Sequence, residues 1–421
     1  MISYYETHMN AACSLYRQRL NWLQMERVDM QSMLHLEYRL RVHLHVLAHE
    51  LDASEVEPET APDTFVYLAS RLSCGDATQQ TQAAERACNW LGEDSARAQG
   101  ARDALLLFPQ PVVNESMSKA YRGNEALRAI LIYILAQQGA RLPQGLVNQA
   151  ELQQRDPMLQ AQIIYYAANQ ATADLEQFRP YYQPLLNYDD TLPEHAVMVA
   201  ALWGGLVRGD DLAAIALRRA IERESNDMQR LDLIRLAALS GEAEYFPIFE
   251  SLSQHVPQIA YHFMALYGRP DGIEIILQGL SHPRTAQHAE LAWWWVSGQT
   301  LPKKPRLSVV GEESLAEDLE DNVGFVPDAQ PAQQWWARQK KDQALRYLQG
   351  QPLTRGRIEA TLKQYTGMIS HDLIDLLALQ SKQPALIGTH TWHDNRLRKL
   401  QTQMDATPKA TNPRPAEAQR A

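Results

Sequence analysis

The chain contains few cysteines, and their spacing fits no known framework. Only Cys13, Cys74 and Cys88 occur in 421 residues, and no two of them form a CxxC pair. The spacing excludes a dense disulfide scaffold and does not favour a structural zinc site. We therefore interpret all three as small apolar residues in a reducing compartment.

Long apolar runs and clusters of basic residues are also missing. The longest apolar runs, at residues 129–136 and 196–207, are shorter than the roughly 18 to 20 residues that a membrane-spanning helix needs. The amino terminus has no basic start followed by an apolar block, so we expect no secretory signal and a cytoplasmic protein. A net charge of -10 without a basic run makes nucleic acid an unfavourable partner.

Two apolar stripes at helical spacing dominate the first fifty residues. One stripe includes Met9, Ala12, Cys13, Tyr16, Leu20 and Leu23, and the second includes Met33, Leu36, Leu40, Leu44 and Leu47. Spacings of three and four residues place each stripe on one helical face. The sequence therefore predicts two helices that pack as an antiparallel pair.

A recurring glycine marks the middle of the chain. Gly209, Gly241 and Gly268 each follow an apolar helical segment and precede an acidic or proline-containing turn, at separations of 32 and 27 residues. Sustained β-type alternation is not found there. This spacing fits one helical hairpin per repeat and predicts a degenerate α-solenoid of about five to seven hairpins.

The stretch "ELAWWWVSG" places three tryptophans on one helix of this region. Successive helical residues point about 100° apart, so the three rings cover a wide arc. We predict that Trp293 and Trp295 belong to the core, and that Trp294 points away with Glu290 and Ser297. Trp294 is therefore a candidate partner-binding residue, as are Trp335 and Trp336.

Local patterns do not indicate catalysis, a cofactor or a metal. The pairs His45 with His49 and His390 with His393 have helical spacing, but neither has a third ligand that can be named, so no metal site is predicted. The acidic pairs at 189–190 and 210–211 precede helices and are interpreted as caps. No nucleophile elbow or phosphate loop is present, and we expect no enzyme activity.

The later part of the chain carries an ordered motif. It consists of Gly268, Pro270, Trp295, Gly298, Pro327, Asp328, Trp335, Trp336 and Gly350. This motif resembles an uncharacterised proteobacterial family of HEAT-repeat proteins, and the amino-terminal "LHLEYRLRVHLHVLAHE" is similar to the opening of that family. Ser297 and Ala329 depart from the threonine and proline that the family tends to have at those positions.

The resemblance implies a function that the residues do not show by themselves. Members of that family are often encoded beside type VI secretion systems, which implies an adaptor or chaperone-like factor that loads effectors or assembles the secreted spike. The expected partner is then a spike component, an effector or a toxin. Two alternatives are an immunity protein that blocks a toxin and an enzyme or small-ligand protein with a site in the concave solenoid face.

The expected fold is all-α and is divided into five segments. They are a helical region at 1–141, a HEAT-like repeat solenoid at 142–298, an acidic and proline-rich insertion at 299–330, a helical region at 331–404 and a disordered tail at 405–421.

Overall fold

The computed structural model describes most of the chain, with gaps. The described residues are 4–49, 57–74, 76–93, 95–139, 156–170, 173–189, 191–305, 325–339, 342–383 and 387–406. About 76% of them are helical, in 20 α-helices, and adjacent helices pack in pairs. The all-α prediction is confirmed at this level. The acidic run of the predicted insertion and residues 407–421 of the predicted tail lie outside the described residues.

The chain forms two compact units. The first comprises Met1–Leu127, Ile134–Leu142 and Leu386–Ala421, and the second comprises Arg128–Tyr133 and Pro143–Ala385. The five predicted segments stay a prediction. None of the described helices combines the length and the apolarity needed to span a lipid bilayer.

The first unit is built on the predicted helix pair. Its helices are α1 (Tyr4–Gln24), α2 (Met30–His49), α3 (Ala61–Ser73), α4 (Ala77–Leu91), α5 (Ala96–Leu107), α6 (Pro111–Gly123), the end of α7 (Arg128–Gln138) and α20 (His393–Ala406). His8 contacts His43, and Arg19 contacts Glu37, so α1 and α2 run antiparallel as expected. The packing surface consists of the two apolar stripes, with Tyr16 stacked on Phe65 of α3 at 4.1 Å between ring centroids.

A buried carboxylate fixes the start of α20 in this unit. Glu37 accepts hydrogen bonds from the backbone N–H of His393 at 2.9 Å and from its ring Nδ1 at 2.7 Å. Arg19 donates to Glu37 at 2.8 Å and also to the carbonyls of His390 and Thr391. A carboxylate at a helix amino terminus is favourable because that end carries free N–H groups and positive dipole charge.

The second unit contains a regular series of helices. They are α8 (Pro157–Ala168), α9 (Arg179–Asn187), α10 (His195–Val207), α11 (Asp211–Arg223), α12 (Asp227–Ser240), α13 (Phe246–His255), α14 (Pro257–Tyr267), α15 (Pro270–Ser281), α16 (Ala286–Ser297) and α17 (Ala329–Ala337). The even-numbered helices α8 to α16, here called the even row, contact one another in order. Among the odd-numbered helices, α9 packs on α11, α13 on α15, and α15 on α17.

The described residues also form six short strands and two further helices. The strands are β1 (Val28–Asp29), β2 (Lys303–Pro305), β3 (Phe325–Pro327), β4 (Tyr347–Leu348), β5 (Gln351–Pro352) and β6 (Tyr365–Thr366), and the helices are α18 (Arg355–Gln364) and α19 (Ile369–Ser381). β2 pairs antiparallel with β3, and β4 pairs antiparallel with β5. In the second unit α19 packs on α10 and α12 of the even row.

Four glycines end helices of the even row: the three predicted repeat glycines and Gly298. Gly209, Gly241, Gly268 and Gly298 follow α10, α12, α14 and α16 with φ angles of 70°, 70°, 65° and 75°. Glycine is favoured here because the left-handed conformation that ends a helix costs L-residues energy. The interpretation of Asp210 as a cap is confirmed, since its side chain accepts from the backbone N–H of Leu212.

Candidate protein-binding surface

A short segment of the second unit covers the carboxyl ends of three helices of the even row, α12, α14 and α16. We call residues 346–350 the strap. Its Arg346 donates to the carbonyls of Leu239 at 3.0 Å, Leu266 at 2.6 Å and Tyr267 at 3.0 Å. It also donates to the carbonyls of Ala238 and Ser240, both at 3.3 Å. One guanidinium therefore satisfies the last carbonyls of both α12 and α14, which have no partner inside their own helices.

The strap continues over α14 and α16 by main-chain hydrogen bonds. The N–H of Tyr347 donates to the carbonyl of Gly268 at 2.7 Å, and the N–H groups of Gln349 and Gly350 donate to Trp295 and Val296 at 2.9 and 2.8 Å. Gln349 and Gly350 form the two-residue turn between β4 and β5, and both have positive φ, as a type I′ hairpin requires. The turn thus presents its N–H groups to the end of α16.

The strap explains why glycine occupies the helix ends beyond the need for positive φ. A Cβ on Gly241 would overlap the guanidinium of Arg346, and one on Gly268 would lie 3.0 Å from the carbonyl oxygen of Tyr347. A Cβ on Gly298 would lie 3.0 Å from the side-chain oxygen of Gln349. Gly241, Gly268 and Gly298 therefore line the surface on which this segment of the same chain packs.

The strap carries a buried positive charge. Burial, together with the positive charge of the neighbouring Arg269, lowers the pKa of Arg346 to about 10, so the guanidinium is still protonated at neutral pH. The negative ends of two helix dipoles face this charge, which favours it. Arg269 reinforces the same junction by donating to the carbonyl of Gly241 at 2.6 Å.

Three of the tryptophans form one aromatic series beside the strap. Trp293 meets Trp335 edge-on at 5.6 Å, Trp335 stacks near Trp336 at 6.3 Å, and Trp336 meets Tyr347 edge-on at 5.7 Å between ring centroids. This aromatic series joins α16, α17 and β4. Aromatic pairs with this edge-to-face geometry stabilise a fold beyond the area they bury.

The three candidate binding tryptophans differ in exposure. Trp336 is buried, and Trp294 is only 7% exposed. The prediction that Trp294 points away from the core is wrong, because Tyr365 packs edge-on against it at 5.0 Å. Trp335 is half-buried, and a Cβ on Gly350 would lie 3.4 Å from its ring. Partner binding by these residues stays a prediction, and Trp335 has the most accessible ring of the three.

An exposed apolar pair lies on α11 and was not predicted from the sequence. Leu212 and Ile215 are 39% and 44% exposed, and the nearby Tyr188 at the end of α9 stacks under the Arg219 guanidinium at 4.3 Å. The signal was present, because the buried stripe Ala213, Ala216, Leu217 and Ala220 leaves Ile215 on the opposite face and Leu212 at the edge of the stripe.

An ionic cluster in the second unit joins α12, α14 and α19. Arg235 donates to Asp372 at 2.5 Å and to Asp375 at 2.7 Å, and His262 lies 3.1 Å from Asp372. Burial would raise the pKa of Asp372, but His262 and Arg235 lower it to about 2. Burial raises the pKa of Asp375. The arrangement fastens α19 to the even row by charge pairing.

The described histidines and cysteines do not form a metal-binding or reactive group. His45 and His49 lie 3.3 Å apart through their Nε2 atoms on exposed positions of α2, while His393 is bound to Glu37. Within the described ranges, no three His, Cys, Asp or Glu side chains are grouped to hold a metal ion. Burial raises the pKa of Cys13 and of Cys88 to about 12, which keeps both thiols protonated.

Comparison with other proteins gives no assignment. No protein-family profile, curated protein sequence or solved structure matches the chain.

Proposed function

We propose that the chain is a HEAT-like α-solenoid that binds another protein. Support for the solenoid comes from the ordered contacts along the even row and from the left-handed glycines that end four of its helices. Stacked hairpins of this kind create extended surfaces on which proteins dock. The helix carbonyls at the strap are already occupied, so a partner would use side-chain surfaces.

The observation that carries the binding role is the position of Trp335. Its ring is half-buried against Trp293 and Gly350, so its orientation is fixed before a partner arrives. Pre-organised aromatic side chains are typical hot spots, because little conformational entropy is lost when they bind. Leu212 and Ile215 form a second apolar surface for the same partner.

The resemblance to the HEAT-repeat family gives this proposal its context. We propose an adaptor or chaperone-like factor for type VI secretion, with a spike component, an effector or a toxin as the partner. An adaptor needs a surface for its cargo and no reactive group, which agrees with the exposed apolar residues described above. The carboxylates of Asp372 and Asp375 are engaged by Arg235, so they are not offered as catalytic groups.

The test is affinity purification of the tagged chain from cells that express the secretion genes, followed by mass spectrometry. Four baits are compared: the natural chain, Trp335→Ala, the double variant Leu212→Glu with Ile215→Glu, and the control Gln334→Ala on the same helix as Trp335. We expect a spike protein, effector or toxin with the natural chain and with the control. Loss of Trp335 should weaken binding by about 2 kcal/mol, or about 30-fold.

Two results would count against the proposal. Recovery of no specific protein by the natural chain from expressing cells would remove the adaptor role. Equal recovery by all four baits would remove both proposed surfaces. If only the double variant loses the partner, α11 and not Trp335 is the docking surface.

A further inference from the structure

A cleft in the first unit lies between α5, α7 and α20. Its volume is about 420 Å³. One wall is apolar and consists of Leu106, Leu107 and Pro109, where α5 ends. The volume is in the range of pockets that bind small ligands or single anchoring side chains.

The opposite wall of the cleft is polar and basic. It includes Asn395, Arg398, Lys399 and Thr402 of α20. Lys399 donates one hydrogen bond to the carbonyl of Gln138 at 2.5 Å, and an ammonium group has two further N–H donors. Arg398 is exposed, and its nearest acid, Asp394, is 3.6 Å away. None of the described residues that line the cleft is an aspartate or glutamate, so the charge of this lining favours an anionic ligand.

The wall contains a hydrogen-bond acceptor with no partner among the described residues. Gln138 is 5% exposed, and its Nε2 donates to the carbonyl of Leu105 at 2.7 Å. This contact fixes the amide orientation, and the buried Oε1 accepts no hydrogen bond from the described part of the chain. A buried amide oxygen without a partner costs free energy, so a ligand N–H that reaches it would be favoured.

We propose that this cleft binds a short acidic peptide segment. An apolar side chain would lie against Leu106 and Leu107, an Asp or Glu carboxylate would meet Lys399, and a main-chain N–H would donate to Gln138. A fatty acid has no donor for Gln138. A free amino acid carries an ammonium group that Lys399 repels. This inference deepens the proposed protein-binding function and rests on it.

The test selects peptides on the full chain and then measures their binding. A library of random displayed heptapeptides is selected on the immobilised protein, and the enriched peptides are labelled for fluorescence polarisation. We expect enrichment of an Asp or Glu next to an apolar residue. Binding should weaken when NaCl is raised from about 50 mM to about 500 mM, because exposed charge pairs are screened.

Two substitutions on one turn of α20 give a matched comparison. Thr402→Glu places a carboxylate at the cleft, whereas Gln401→Glu adds the same charge at an exposed neighbour that does not line it. We expect Thr402→Glu to weaken peptide binding at least about tenfold, and Gln401→Glu to leave it within about twofold. Arg398→Gln, also at an exposed position, should weaken it by about threefold to tenfold.

The outcomes separate this inference from the proposed function. The absence of enriched peptides, or enriched peptides without an acidic residue, would overturn the cleft assignment, as would equal binding by both α20 variants. If the Thr402→Glu chain still captures its cellular partner, the protein-binding role stands without the cleft. If the natural chain captures nothing but binds acidic peptides, the cleft assignment stands without the adaptor role.

Discussion

Arg346 lies over Gly241 and fills the space that a side chain at that position would occupy. From there its guanidinium reaches the last carbonyls of two successive helices of the even row. Helix carboxyl ends usually depend on local capping or on water. Here a residue about a hundred positions later in the chain provides the cap, so folding of the even row and docking of the strap are coupled.

We expect Arg346→Met to lower the free energy of unfolding by about 3 kcal/mol. Methionine keeps much of the apolar stem but leaves buried carbonyls of α12 and α14 without donors. Urea unfolding followed by circular dichroism measures the change. Arg338→Met is a control at an exposed arginine of the same unit and should cost about 0.5 kcal/mol or less. Equal costs would mean that the strap contributes no special stability.

Arg396 should be a stability liability in the first unit. It is 0% exposed, and its Nε, Nη1 and Nη2 have no hydrogen-bond partner in the part of the chain that the structure describes. Burial lowers its pKa to about 10, so it is still charged at neutral pH. We expect Arg396→Met to raise the free energy of unfolding by about 1 to 4 kcal/mol, since replacing a buried charge with an apolar group of similar size removes a desolvation cost.

The comparison for that substitution is Arg398→Met on the same helix. Arg398 is exposed, so its loss should change stability by less than about 0.5 kcal/mol. Thermal melts of both variants at pH 7 make the measurement. A lower melting temperature for Arg396→Met would show that the guanidinium makes a stabilising contact in solution.

Stability of the first unit should fall as the pH falls below about 6.5. Burial lowers the pKa of His393 to about 4, and the positive charges of Arg396 and Arg19 oppose its protonation, while Glu37 favours it. Between about pH 6.5 and the folded pKa the unfolded chain binds a proton that the folded chain does not. Folding stability is therefore lost across this window.

Glu37 extends the same trend to lower pH. Burial would raise its pKa, but His393 and Arg19 lower it to about 2 from a model-compound value of 4.5. Its stabilising contribution is complete above about pH 4.5 and is lost as the pH falls toward 2. Urea unfolding midpoints measured at about pH 7.5, 6.5, 5.5 and 5.0 test the upper pH window, in which His393 changes the stability.

His393→Asn should flatten that upper window. The asparagine amide can still donate to Glu37 but does not titrate. His288→Asn, at an exposed position, should leave the pH dependence as it is in the natural chain. A variant at position 393 that keeps the full pH dependence would assign it to another group.

Trp294→Ala should lower the free energy of unfolding of the second unit by about 3 to 5 kcal/mol. The ring packs edge-on against Tyr365 and is buried, so its removal leaves a cavity. Leu291→Ala on the same helix is exposed and should cost about 0.5 kcal/mol or less. Unchanged melting together with loss of the captured partner would instead make Trp294 a binding residue.

The fate of the three consecutive tryptophans shows where sequence reasoning stops. Helical periodicity placed Trp293 and Trp295 in the core, and both are buried. The same period predicted that Trp294 points outward, because a helix that packs on one side only leaves its other side exposed to solvent. Periodicity contains no information on a second layer, and here Tyr365, seventy-one positions later, covers that side.

Some of the candidate surfaces could be predicted from the sequence, and the cleft could not. Trp335 was predicted as a binding residue from the sequence, and the exposed pair on α11 follows from helical spacing once its buried stripe is known. The cleft of the first unit was not predictable, because Leu107, Gln138 and Lys399 come from three distant segments. No local pattern relates such positions.

By itself the sequence determined the helical class, the antiparallel first pair and the glycines that follow helices of the even row. These depend on short-range physics: the 3.6-residue period, helix capping and the conformational freedom of glycine. Only the tertiary structure decided which chain segment caps α12, α14 and α16, which tryptophan ring stays accessible and which residues come together to line a basic cleft. Those features depend on contacts between residues far apart in the chain, which local periodicity does not encode.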